Sequence, residues 1–199
     1  MKNDDNLDPH SFIILEALYA NKNRPIKQKI LFQKILFLTL MNFKKLFNIV
    51  DFKPHLLGPY SASIDKTIEQ LIKIGNVKKN EKNEFEITDE GIEILEQLPK
   101  EIEDKEELKQ IYEFEDVIDH IKELFIDFST DEMLAFIYKG YPDYIESSIK
   151  ADQLDYEKIF IDLYKKGKLG ISKIAELLGL SVNNAYNLIK QKTNPIILP

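Results

Sequence analysis

The chain has no cysteine and no tryptophan, and only three histidines in 199 residues. Without cysteine there is no disulfide framework, no thiol nucleophile and no thiolate zinc site. His10, His55 and His120 stand far apart and share no metal-ligand spacing. No HExxH pair, glycine-rich phosphate loop or nucleophile elbow occurs. Glu84-x-Glu86 and the acidic run over 101–119 are the remaining candidates for holding a cation, as in a metal-dependent nuclease, but acidic runs on helices are usually solvated faces. Long hydrophobic runs are missing too. The longest, ILFLTLMNF, is far shorter than the roughly 20 residues a membrane-spanning helix needs. The opening MKNDDNLDPH is polar and acidic, unlike a secretory leader. These absences predict a cytoplasmic protein with no enzymatic activity, metal, cofactor or membrane segment.

What is present is a globular composition, 44% hydrophobic, with an uneven charge. The net charge is −7, yet residues 1–80 hold 13 Lys and Arg against 7 Asp and Glu. Residues 81–156 hold 7 against 24, and residues 157–199 hold 7 against 3. Two basic ends flanking an acidic middle fit a chain whose ends meet phosphate, and fit solvated helix faces equally well.

Helical spacing begins at DPHSFIILEALYA, where Asp8 is placed to cap and Pro9 to occupy the first helical position. Pro25 is expected to open a second helix that runs through Ile30, Leu31, Ile35, Leu38 and Met41 to Leu46. Residues 51–57 read as extended, with a turn at Gly58-Pro59. A third helix starts at Ser61 or Ser63 and stops at Gly75. Val77 and the pair Phe85, Ile87 suggest two short strands around a polar turn at 80–83, and Thr88 caps a helix through Leu98 that Pro99 ends. Three helices, a ribbon and a helix are the order of a winged helix, whose third helix reads the groove and whose residues 78–83 form the wing.

Beyond Pro99, an acidic helix over 101–128 carries Ile111, Phe114, Ile118, Ile121, Phe125 and Phe128 at alternating three- and four-residue steps. That stripe suits either a dimer seam or packing within the chain. Ser129 with Glu132 forms a capping box before MLAFIY, and a further helix is expected over about 154–165. The predicted architecture is mainly α: a winged helix at 1–98 with a small β-ribbon wing, an acidic helical connector and candidate dimerisation segment at 99–153, and a helix-turn-helix at 154–199.

The last of these rests on ISKIAELLGLSVNNAYNLIK, residues 171–190. Ala175 supplies the small residue where two helices cross, Gly179 a turn tolerating positive φ, and Ser181 an N-cap. Val182, Ala185 and Leu188 or Ile189 are expected to face inward. That turns Asn183, Asn184 and Asn187 outward, with Tyr186 to one side. Asparagine is a mediocre helix former, and its amide matches the adenine edge in the major groove. Ser172, Lys173, Ser181, Lys190 and Lys192 fall where phosphates would pass. In the N-terminal half, the corresponding candidates are Lys66 and Thr67 on the third helix and Lys78, Lys79 and Lys82 on the wing. Glu81 and Glu84 stand beside that wing.

FQKILFLT, FKPHLLGPYSASIDKTIEQLIKIGNV and FEITDEGIEIL together resemble prokaryotic winged-helix proteins of the YwgA-like and Panacea-antitoxin-like type. The matching residues are Gln33-Lys34, Phe52, the turn Gly58-Pro59-Tyr60-Ser61, Leu71, Gly75, Thr88 and Gly91, over about residues 10–98. The C-terminal Lys173-Ile174-Ala175-Glu176-Leu177 with Gly179 is similar to the helix-turn-helix of small antitoxins of the UPF0175 type, Leu178 replacing their usual small residue. Both resemblances imply DNA-binding regulators, some of them antitoxins. The expected partner is therefore double-stranded DNA, bound by a homodimer, with a toxin protein as a further candidate. The alternative is a protein-binding antitoxin or interaction module whose acidic middle, around Glu103, Glu106 and Glu107, grips a basic partner. Tyr60 is expected to plug the core or to reach a phosphate.

Overall fold

The computed structural model describes residues 8–101 and 105–193, the side chains of 98–101 and 105–108 lying outside that description. The protein is mainly helical, with ten α-helices and one two-stranded antiparallel sheet among the described residues. None of these helices is long and apolar enough to cross a membrane. The chain divides into two compact units, 1–53 with 59–127 and 54–58 with 128–199. Residues 99–153, read from sequence as a connector, are shared between them.

The first unit is built around two encased helices. Helix α1 (Pro9–Asn23) is capped by Asp8, whose carboxylate accepts from the backbone N–H groups of His10 at 3.0 Å and Ser11 at 3.2 Å. Every residue from Ser11 to Leu18 is buried, and in α2 (Lys29–Leu40) every residue from Leu31 to Leu40. A helix buried on all sides has no polar face to display, so its sequence shows little amphipathic period. Around α1 pack α4 (Ala62–Ile74), strand β2 (Phe85–Ile87), α5 (Asp89–Glu101) and α6 (Lys105–Phe125), and α6 also covers α2. Phe114 stacks at 5.5 Å on Phe12 and 5.2 Å on Phe43, while Ile118 and Phe125 are buried. Phe114, Ile118 and Phe125 of the heptad-spaced stripe are thus covered within this unit, while Ile111 and Ile121 are half-buried.

Several boundaries differ from expectation. No helix starts at Pro25. Ile26 lies extended and exchanges two 3.0 Å hydrogen bonds with Phe85, adding a third strand-like rung beside β1 (Val77–Lys79) and β2. The second helix also stops at Leu40, because the Asn42 side-chain amide donates to the carbonyls of Leu38 and Thr39 at 3.2 Å and completes the helix end. The chain restarts as α3 (Lys44–Val50), which ends at Asp51 in the left-handed region. Helix α5 runs to Glu101, so Pro99 lies inside its last turn. One lost hydrogen bond near a helix end does not stop a helix held elsewhere by packing.

Helix α4 begins and ends as its sequence suggests, capped by Ser61 and terminated by Gly75 at φ 94°. Gly91 is demanded by proximity instead. A Cβ there would stand 2.5 Å from the Asn76 carbonyl oxygen and 2.8 Å from a carbon of Ile87. Gly91→Ala is expected to cost about 1–3 kcal/mol through this overlap. A thermal melt coinciding with wild type would refute the close approach.

In the second unit, α7 (Thr130–Gly140) starts from the expected capping box. The Glu132 N–H donates to Ser129 Oγ at 3.2 Å, and the Ser129 N–H to Glu132 Oε2 at 2.7 Å. Met133 to Tyr138 are buried against α8 (Tyr156–Lys165) and α9 (Ile171–Leu178). Helix α10 (Val182–Thr193) packs on α9 and α8. The segment 54–58 belongs here as well, with the Leu56 carbonyl accepting from Ile149 N at 3.1 Å.

Candidate nucleic-acid interface

In the second unit the candidate residues converge on α9, α10 and their turn. Gly179 takes φ 65°, and Leu180 N donates back to the Ala175 carbonyl at 2.8 Å, closing α9 with a left-handed turn. Ser181 caps α10 by accepting from Asn184 N at 3.2 Å. Ala175, Ala185 and Ile189 are buried, so the two helices meet through small and branched residues. Val182 does not face inward: it is 53% exposed, because the buried stripe is set by the four-residue step from Ala185 to Ile189.

That phase leaves Asn183, Asn184, Tyr186 and Asn187 exposed. No side-chain hydrogen bond within the described residues occupies the three amides, so their donors and acceptors are available. Lys190 and Lys192 are exposed in the last turn and form no ion pair with a described residue, and Ser172 is exposed at the start of α9. Lys173 is less free. Its ammonium lies 2.7 Å from Glu176 and 5.6 Å from the centre of the Phe136 ring. Helix α10 contains no acidic residue from Val182 to Thr193.

The first unit holds the other candidates. Lys66 is exposed and Thr67 half-buried on α4. Lys78 on β1 is exposed and lies 3.7 Å from Glu86, while Lys79 lies over the Phe85 ring at 5.1 Å. The turn between the strands is organised by Asn80, whose side-chain oxygen accepts from Lys82 N at 2.9 Å and Glu84 N at 3.0 Å. Its amide donates to Glu84 and Glu86. The lysines of this ribbon therefore share their surface with paired carboxylates, and Lys79 and Lys82 are its exposed ammonium groups without an ion pair among the described residues.

The start of α4 is fixed by a network whose members the sequence contains but whose wiring it does not reveal. Gln33 Nε2 donates to the Ser61 carbonyl at 2.9 Å and to Asp65 at 2.8 Å, and Gln33 Oε1 accepts from Ser61 N at 3.1 Å. Tyr60 donates its hydroxyl proton to Asp65 at 2.8 Å, and that carboxylate bond raises its pKa above the usual phenol range. Lys34 is 2% exposed and donates to the Pro59 carbonyl at 2.6 Å. Burial pushes its pKa down to about 7 against the opposing pull of Asp65. Pro59 and Ser61 of this turn are thus held by two successive residues of α2.

Among the described residues no group of three or more His, Asp or Glu side chains is placed to hold a metal ion. Glu103 lies outside the described residues, as do the side chains of Glu106 and Glu107. Comparison with protein-family models, curated proteins and solved structures finds no match.

Proposed function

We propose that the protein is a DNA-binding regulator that contacts duplex DNA through α10, with α9 and α10 acting as a helix-turn-helix. The observation that carries the reading is the exposed face of α10: three asparagines and two lysines without a side-chain partner among the described residues, and no acidic residue on one short helix. Lysines of this kind contact phosphate, and the amides read base edges. The first unit supports a winged-helix reading by its element order, by the Ile26 rung beside the ribbon and by the exposed Lys66 on α4. Its ribbon, with Lys78 beside Glu86, is the weaker contact surface. A homodimer bound to a two-fold site, and an autoregulating antitoxin role, are extensions of the same proposal.

A protein-binding use of this fold is favoured by a different observation. Leu180, Val182 and Tyr186 are 37%, 53% and 41% exposed around the start of α10. Apolar and aromatic groups grouped in this way suit a partner protein.

The test is fluorescence-anisotropy binding to random duplex DNA across a salt series. Wild type is expected to bind with a steep salt dependence. Lys190→Glu with Lys192→Glu is expected to lower the slope by about 2. Asn183→Ala with Asn187→Ala is expected to lose about 1–3 kcal/mol of sequence discrimination per base contact while keeping the slope. No binding by wild type at low salt would end the DNA reading and leave the exposed apolar group as the guide.

A further inference from the structure

A cleft of about 470 Å³ opens beside the end of α1 in the first unit, a volume within the range of small-molecule sites. Its contributors come from two helices. From α6 come Glu115, Asp116, Asp119 and His120, which share one face by their spacing. From α1 come Glu16, Tyr19 and Ala20. Asp119 is engaged by the backbone N–H of Asn21, and His120 Nδ1 lies 2.7 Å from the Asp116 carbonyl. Glu16 differs from all of these. It is 4% exposed, lines the cleft, and has no hydrogen-bond or ion-pair partner among the described residues. Lys22 also lines the cleft, yet pairs with none of its acids.

A buried carboxylate with no partner is costly when ionised. Burial, then the neighbouring Glu115, accordingly hold Glu16 up at about 8. Burial and Asp116 raise Glu115 as well. The ionised form would be satisfied by a cation, and the arrangement bears on which kind. A metal ion needs several hard ligands converging on one point, and no such group exists among the described residues. Carboxylates spread along a cleft suit charges spread along a chain. The Tyr19 ring and the Ala20 methyl offer apolar surface to the methylenes between those charges.

We infer that the first unit binds a small aliphatic diamine or polyamine in this cleft, with Glu16 as the deep counter-ion and the α6 carboxylates as outer ones. The inference is independent of DNA binding by α10. Ligand entry drives Glu16 from its protonated to its ionised form, so binding near pH 7 releases a proton to the buffer. Tyr19, Lys22, Glu115, Asp116, Asp119 and His120 are the other charged or titratable groups on the cleft, and they remain in the Glu16→Gln variant.

The experiment uses the full chain and 1,4-diaminobutane as probe. Calorimetric titrations are run in two buffers of different ionisation enthalpy, beside thermal melts in diamine, in MgCl2 and in NaCl of equal ionic strength. The diamine is expected to raise Tm by about 5 °C near saturation, and neither salt to match it. Buffer-dependent heat is expected to report proton release. Glu16→Gln keeps the side-chain shape, so it is expected to fold, to bind at least about tenfold more weakly and to release no proton. Failure of the diamine to exceed NaCl overturns the inference. So does a larger effect of Mg²⁺, which would assign the cleft to a metal, and so does undiminished binding by the variant.

Discussion

Lys122→Ala is expected to destabilise the first unit by about 3 kcal/mol. Helix α1 leaves helical geometry after Tyr19. Ala20 is extended, and Asn21, Lys22 and Asn23 follow with φ of 52°, 56° and 58°. At this break the Asn21 carbonyl accepts from the N–H of Arg24 at 3.2 Å. Lys122, fully buried on α6, donates to Leu18 O at 2.9 Å and to Ala20 O at 2.8 Å. Alanine removes both donors and the packed aliphatic stem. Lys122→Met keeps most of the stem and removes the donors alone, so it is expected to lose less than alanine, and urea denaturation separates the two.

The pH dependence has a definite sign. Burial, opposed by Asp119 and reinforced by Arg24, holds Lys122 down at about 7. The unfolded chain keeps the ordinary value of 10.5, so between these values the folded state binds fewer protons than the unfolded one. Lys122 therefore contributes stability that rises from pH 7 towards 10.5, and Lys34 acts in the same direction. Lys122→Met is expected to flatten that rise. An unchanged slope between pH 7 and 10 would remove Lys122 as its source.

Glu16→Gln is expected to stabilise the ligand-free protein, by about 3 kcal/mol at pH 7 and about 1 kcal/mol at pH 5. Here the folded pKa, about 8, lies above the ordinary value of 4.5. The folded state binds more protons than the unfolded one between these values, so wild type loses stability as pH rises through that window. Glutamine cannot ionise and escapes the loss. Denaturation of both proteins at the two pH values tests this, and an equal difference at both would mean that the gain is packing, not charge. The glutamate lowers stability up to about pH 8 and the two lysines raise it from about pH 7, so a stability minimum near pH 7 is the combined expectation.

Local signals were the legible part of this chain. Asp8, Ser61, Ser129 and Ser181 cap helices as their sequence contexts suggest, because a cap acts on N–H groups two or three residues away. Gly75 and Gly179 end helices in the left-handed region for the same short-range reason. Long-range pairing was not legible. Ile26 is extended because Phe85 offers it a strand edge, and nothing within ten residues of Ile26 announces that. The α6 stripe fits a coiled-coil seam and packing within the chain alike, since period alone does not say which chain supplies the facing helix. Of the candidate interface, the exposure of Asn183, Asn184 and Asn187 followed from periodicity. The ion pairs that tie down Lys173 and Lys78 did not, and neither did the solitary carboxylate of Glu16, whose burial depends on α6.

The excursion at 54–58 bears on how the chain is made. Its neck is closed by paired hydrogen bonds between Lys53 and Tyr60, at 2.9 and 3.0 Å, while the tip belongs to the second unit and bonds Ile149 through Leu56. During vectorial synthesis this tip leaves the ribosome long before Ile149 is translated. The second unit cannot be completed from its own contiguous segment, and its last contacts close a loop that contains much of the first. Transferring residues 128–199 to another protein would leave this segment behind, so the two units are not exchangeable cassettes.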